Sequence, residues 1–283
     1  LLIRIEEKIL DELRSALELA NQEELAYLTQ LLFSRKFNPL DYLQNPDPID
    51  IQSQNLEDWL NSLEARFRYL GADGITVLKR TTHQVSYRQI LIQVCRYLKI
   101  PYSQSMITTE IESEIFLNLV SKAWKKLPKK EQNSVNIKVQ KALEKSNLPQ
   151  PLPVQLQHDP VTILLKGSSA ITINSVIKPF LLKQIANQIA VHFAQYQATK
   201  NLIIKGGSAA STTIESQIIL SMAKRGIISN TARYGTVKTV FSVLGSFLWI
   251  YFFADLGWRA IATNYGRIIP TIFTLAQIRL TAL

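Results

Sequence analysis

Residues 55–71 read NLEDWLNSLEARFRYLG, and this stretch decides the fold class. Leu56, Trp59, Leu60, Leu63, Phe67 and Leu70 recur at i, i+3/i+4 spacing, which places them on one face of an amphipathic helix. Asn55 stands where a cap belongs, because its side-chain oxygen can accept an orphan amide of the first turn. Gly71 fits the left-handed position that closes a helix. A capped helix with one face to bury is predicted here.

The same pattern extends outward. Asn21 followed by Glu24 has capping-box spacing, with Leu25, Leu28, Leu31 and Leu32 behind it. A helix predicted over 86–99 stops at Ile100-Pro101, since the residue before proline is pushed out of helical conformation. Thr109 and Glu112 again have capping-box spacing. Behind them Ile115, Phe116, Leu119, Val120, Ala123, Trp124 and Leu127 form an apolar stripe. Pro128 suits the first turn of a further helix, ending near residue 146. Residues 1–147 are thus expected to form a soluble helical bundle.

Residues 148–160 carry Pro149, Pro151, Pro153 and Pro160, and closely spaced prolines read as a linker. Beyond it the composition changes. Residues 1–160 hold 20 Lys+Arg and 20 Asp+Glu, whereas 161–283 hold 12 and 2, so the whole net charge of +10 lies in the second part. There Val161–Leu165 and Ile171–Ile177 read as either strands or helix starts, and Pro179 is expected to open a helix reaching about residue 199. The expected fold is mainly α: an N-terminal helical bundle followed by a basic, hydrophobic, mostly helical region over 161–283.

Composition excludes several classes. A 283-residue chain with 47% hydrophobic residues is too apolar for disorder, and a single cysteine excludes a disulfide scaffold or a cysteine-rich zinc site. His83, His158 and His192 have no metal-ligand spacing, Cys95 sits on the apolar pattern Ile92, Cys95, Leu98, and no GxSxG or Walker A loop occurs. Glu110, Glu112 and Glu114 favour a helix start electrostatically and need no catalytic role. No enzyme activity, cofactor or metal is expected.

Two uncharged runs stand out, Thr239–Ala254 with 16 residues and Ile268–Ile278 with 11. A helical span takes about 20 apolar residues, so the first run falls short unless flanking residues are counted. Phe241, Phe247, Trp249, Phe252, Phe253 and Trp258, flanked by Lys238 and Arg259, are the candidate membrane-contact residues. Basic residues beside such a face are attracted to an anionic leaflet by roughly 1 kcal/mol each. No zinc finger, helix-turn-helix or basic-aromatic module is legible, so nucleic acid is not the expected polyanion.

The segment LNSLEARFRYLGADGITVLKR (60–80), with YRQILIQVCRYLKI (87–100) and MITTEIESEIFLNLVSKAWKKLPK (106–129), resembles the YaaW-like bacterial family. The matching positions are Gly71, Asp73 and Gly74; Tyr87, Ile90 and Leu91; and Thr109, Glu110, Ile111, Glu112, Trp124, Lys125 and Lys126. LELANQEELAYLTQLL (17–32) and Tyr265–Pro270 resemble that family's opening and closing helices. Leu70, Gly71, Asp73, Val77 and Lys79 also resemble the ubiquinol–cytochrome c chaperone domain. That second resemblance implies a helical scaffold that assists assembly of a membrane complex. Together the two mark Gly71, Asp73, Lys79, Arg80, Trp124, Lys125 and Lys126 as partner-binding candidates.

The expectation is a non-enzymatic, membrane-associated protein on the cytoplasmic face of a bacterial membrane, acting as an assembly factor for a membrane protein complex and binding a protein partner. The alternatives are a soluble helical interaction protein, which includes a homo-oligomer, and a pore-like protein that inserts both apolar runs as a hairpin.

Overall fold

The computed structural model describes residues 12–33, 46–72, 76, 79, 81–126, 129–145, 157–165, 178–188 and 264–282. Its helices are α1 (Glu12–Glu18), α2 (Gln22–Phe33), α3 (Pro48–Gln52), α4 (Leu56–Gly71), α5 (Tyr87–Leu98), α6 (Thr108–Lys126), α7 (Lys129–Glu144), α8 (Pro160–Leu165) and α9 (Tyr265–Ala282). A 3₁₀ turn covers Thr82–Gln84, residues 178–188 are also helical, and no strand occurs among the described residues. The protein is mainly α, as the hydrophobic periodicity dictates. Its two compact units are Leu1–Phe116 with Arg259–Ile278, and Leu117–Trp258 with Arg279–Leu283.

In the first unit α4 is the hub, touching α1, α2, α3, α5 and the 3₁₀ turn. Trp59, Leu60, Leu63, Phe67 and Leu70 are buried as the spacing predicts. Leu56, at the N-terminal end of that stripe, is instead 59% exposed. Leu25, Leu28 and Leu32 of α2 and Leu13, Ala16 and Leu17 of α1 meet the hub, while Leu31 is only half-buried. Burial of each such leucine contributes about 1.5–3 kcal/mol. The Trp59 indole Nε1–H donates to Thr29 Oγ1 at 2.7 Å, and that hydroxyl donates to the Leu25 carbonyl at 2.7 Å, so both buried polar groups are satisfied.

The caps explain where the helices begin. Asn21 and Glu24 form the expected reciprocal box, Glu24 N to Asn21 Oδ1 at 3.0 Å and Asn21 N to Glu24 Oε2 at 2.9 Å. Asn55 accepts from Asp58 N at 3.0 Å, and Asp47 accepts from Ile49 N at 2.9 Å ahead of Pro48. Ser86 and Gln89 form a second complete box. The predicted box at Thr109 and Glu112 is not formed. α6 starts earlier, and Glu110 reaches back to accept from Ile107 N at 2.9 Å. Glu112 is thereby free to turn inward.

Two helix ends also differ from expectation. Gly71 is the last residue of α4 and not a left-handed cap; extended Ala72 follows it. Glycine is required there by close approach, because an added Cβ would lie 2.5 Å from Ile90 Cδ1. Among the described non-glycine residues the left-handed one is Lys99, with φ 58°. Ile100 N donates to the Cys95 carbonyl at 2.8 Å and Lys99 N to the Arg96 carbonyl at 3.3 Å, a Schellman arrangement that ends α5 before Pro101 acts.

α9 carries the whole of the second uncharged run, and Ile268–Ile278 is buried on every side. Phe273 stacks on Phe116 with centroids 5.0 Å apart, and Tyr265 on Tyr97 at 4.4 Å. These residues therefore supply core to the first unit, which the linear division at 147 and 161 does not anticipate. Thr271 and Thr274 are buried in the same helix and donate to the carbonyls of Arg267 and Pro270 at 2.8 and 2.9 Å.

In the second unit, Leu119, Val120, Ala123 and Trp124 of α6 are buried as predicted, together with Val135, Val139 and Leu143 of α7. Asn136 Nδ2 donates to the His158 carbonyl at 3.1 Å and its Oδ1 accepts from Val161 N at 3.2 Å. Gln140 Nε2 donates to the same His158 carbonyl at 2.6 Å. With Asp159 Oδ1 accepting from Thr162 N at 3.1 Å, these bonds start α8 as a helix over the segment that read as strand or helix. Pro160 occupies its first turn, where a missing N–H costs nothing.

Candidate functional site

α5 is polarised. Tyr87, Ile90, Leu91, Val94 and Cys95 turn into the core, and Gln89, Gln93 and Arg96 follow one another at i, i+4 and i+7 on the opposite side. With Ile92, Val85 and Thr76 this row lines a half-open groove of about 310 Å³. Among the described residues the lining holds one cation, two carboxamides, two aliphatic side chains and a hydroxyl, and no carboxylate.

The walls are fixed by charge-assisted bonds. Arg68 of α4 donates through Nη1 to the Val85 carbonyl and through Nη2 to Glu64 Oε1 at 3.0 Å. Burial lowers the Arg68 pKa and raises that of Glu64, so this pair sits in a site of reduced solvation. Thr81 donates to the Thr76 carbonyl from N at 3.2 Å and from Oγ1 at 3.4 Å, closing the turn that carries exposed Lys79. Beyond α5, Arg88 donates to the carbonyls of Gln104, at 2.9 Å, and Met106, and Arg96 Nε donates to the Tyr102 hydroxyl at 3.0 Å.

Behind the groove, the Tyr87 hydroxyl donates to Glu112 Oε2 at 2.7 Å. Cys95 is fully buried, and burial pushes its thiol up to about 11, with the Glu114 charge acting the same way. It is an inert core residue, as its place on the apolar pattern predicts.

Comparison with protein-family models, with curated proteins and with solved structures gives no match. The site is therefore defined by its own side chains.

Of the partner-binding candidates, Lys79 and Lys125 are exposed and lie in different units. Gly71 and Trp124 are buried and have packing roles, Gly71 against Ile90 and Trp124 in the core of the second unit. Asp73, Arg80 and the Lys126 side chain lie outside the described residues. So do all the membrane-contact candidates: Lys238, Phe241, Phe247, Trp249, Phe252, Phe253, Trp258 and Arg259. No helix among the described residues is long and apolar enough to cross a membrane. No group of three or more His, Cys, Asp or Glu side chains among them is arranged to hold a metal ion, and His83 and His158 are exposed.

Sequence reasoning missed Gln89, Gln93 and Arg96. Their signal was a polar row on the back of an otherwise apolar helix, and only the chain opposite, at Thr76 and Val85, turns that row into a groove.

Proposed function

We propose that this chain is a helical interaction protein that docks a segment of a protein partner along α5 and is drawn to an anionic membrane by its basic C-terminal sequence. The observation that carries the reading is the α5 groove: a half-open recess whose described lining sets one guanidinium and two carboxamides beside two aliphatic side chains. Such a surface suits recognition of an extended or helical segment. The 12-to-2 excess of basic over acidic residues beyond residue 160 supports the membrane component. The resemblance to the ubiquinol–cytochrome c chaperone domain favours assembly of a membrane complex as the biological setting.

Of the two apolar runs, Ile268–Ile278 is occupied as core, which leaves Thr239–Ala254 to meet lipid and disfavours an inserting hairpin. The test is sedimentation of the full chain with vesicles of phosphatidylglycerol and phosphatidylcholine. Pelleting is expected with the anionic vesicles at low salt and is expected to weaken at high salt. Phe247→Asp with Phe252→Asp reduces it in a folded protein. These substitutions leave α9 in place, which deletion of 235–283 does not. Failure of the folded wild-type chain to pellet at low salt removes the membrane component.

A further inference from the structure

We infer that the α5 groove recognises the side-chain carboxylate of an acidic segment on the protein partner, with Arg96 as the charged anchor and Gln89 and Gln93 as flanking amide donors. This rests on reading α5 as the docking site and names the chemistry that the partner brings to it.

Three features direct the donors outward. Arg96 Nε is engaged by the Tyr102 hydroxyl at 3.0 Å, which braces the guanidinium by one edge. Its two terminal nitrogens have no hydrogen-bond partner among the described residues, and that end of the fork matches a carboxylate end-on. Gln89 Oε1 is committed to Ser86 N at 2.8 Å in the capping box, so the Gln89 side chain offers the groove its NH₂ group. The Gln93 carboxamide, one turn further on, has no partner among the described residues. Val85 and Ile92 line the same groove and can receive the aliphatic part of the same segment.

Charge selects among anions. Among the described residues the lining carries a single guanidinium and no acid, which matches the one negative charge of a carboxylate. A phosphate monoester, with nearly two charges at neutral pH, calls for more cations than the described lining supplies. A flat lipid surface calls for protruding lysines, whereas these donors line a recess. The volume of about 310 Å³ is near the lower end for ligand sites, roughly the room a side chain or two requires.

The experiment titrates the ¹⁵N-labelled full chain with two pentapeptides, acetyl-Leu-Glu-Leu-Glu-Leu-amide and its Gln counterpart. It reads the Arg96 Nε–H and the Gln89 and Gln93 side-chain amide signals. The expected result is a saturable shift of all three with the Glu peptide, and binding about tenfold weaker with the Gln peptide. Arg96→Gln removes that preference while the melting curve is retained, because Arg96 is exposed. Arg96→Lys restores only part of it, since a lysine offers no fork. If both peptides bind alike, the carboxylate inference falls and docking along α5 stands. If neither peptide binds, both fall. Peptide binding by a chain that fails to pellet with vesicles removes only the membrane component.

Discussion

The hydroxyl of Tyr87 donates to Glu112 Oε2 at 2.7 Å, with the two residues 1% and 2% exposed. This bond joins α5 to α6 inside the first unit and fixes the helix that carries the groove. The buried Glu112 carboxyl group loses one of its donors and keeps its desolvation cost. Tyr87→Phe is therefore expected to destabilise the fold by about 1–3 kcal/mol, read as a lower denaturant midpoint at unchanged m-value.

Gly71 and Ile90 test the close approach of α4 and α5. An alanine Cβ at position 71 would meet Ile90 Cδ1 at 2.5 Å and Cγ1 at 2.8 Å, inside a fully buried site. Gly71→Ala is expected to cost about 1–3 kcal/mol through overpacking. Ile90→Val removes the nearest of these atoms. In a double-mutant cycle the pair should therefore cost less than the sum of the single changes. Additive losses would refute the steric account.

Lys99 holds a left-handed conformation that disfavours a side chain, and only its backbone is used in ending α5. Lys99→Gly should relieve that strain, offset by the greater freedom of glycine when unfolded. The net gain is expected to be up to about 1 kcal/mol, read as a higher melting temperature. A loss would mean that the lysine side chain contributes something the cap geometry omits.

Cys95 gives a pH dependence of known sign. Its thiol is raised from an ordinary value of 9.0 to about 11 by burial, so the unfolded chain releases that proton first. The stabilising contribution is complete below pH 9 and is lost as pH climbs toward 11. Stability curves for wild type and Cys95→Ala should converge over that interval. In the folded chain the thiol should resist maleimide labelling at neutral pH, and denaturant should release it.

Much of the helical frame was readable because it is written locally. The Asn21–Glu24 box, the Asn55 cap and the α4 stripe need only residues within a few turns of one another. The departures have non-local causes. Gly71 reads as a cap in isolation, and Ile90, nineteen positions away, gives it a different task. Glu112 has the spacing of a capping residue, yet Tyr87 draws it inside and Glu110 takes the capping work. Leu56 belongs to the stripe by period but projects to solvent at the first turn. The groove was the least legible feature. Gln89, Gln93 and Arg96 are ordinary surface residues of a helix until Val85 and Thr76 stand opposite them.

The Phe116–Phe273 and Tyr97–Tyr265 stacks bear on how the protein is made. On the ribosome, Tyr97 and Phe116 emerge well over a hundred residues ahead of the rings that cover them. The early helices leave the exit tunnel with part of their apolar surface open, and they keep it open until α9 follows. The protein thus closes its oldest part last, and the interval before closure is when it most needs protection from aggregation.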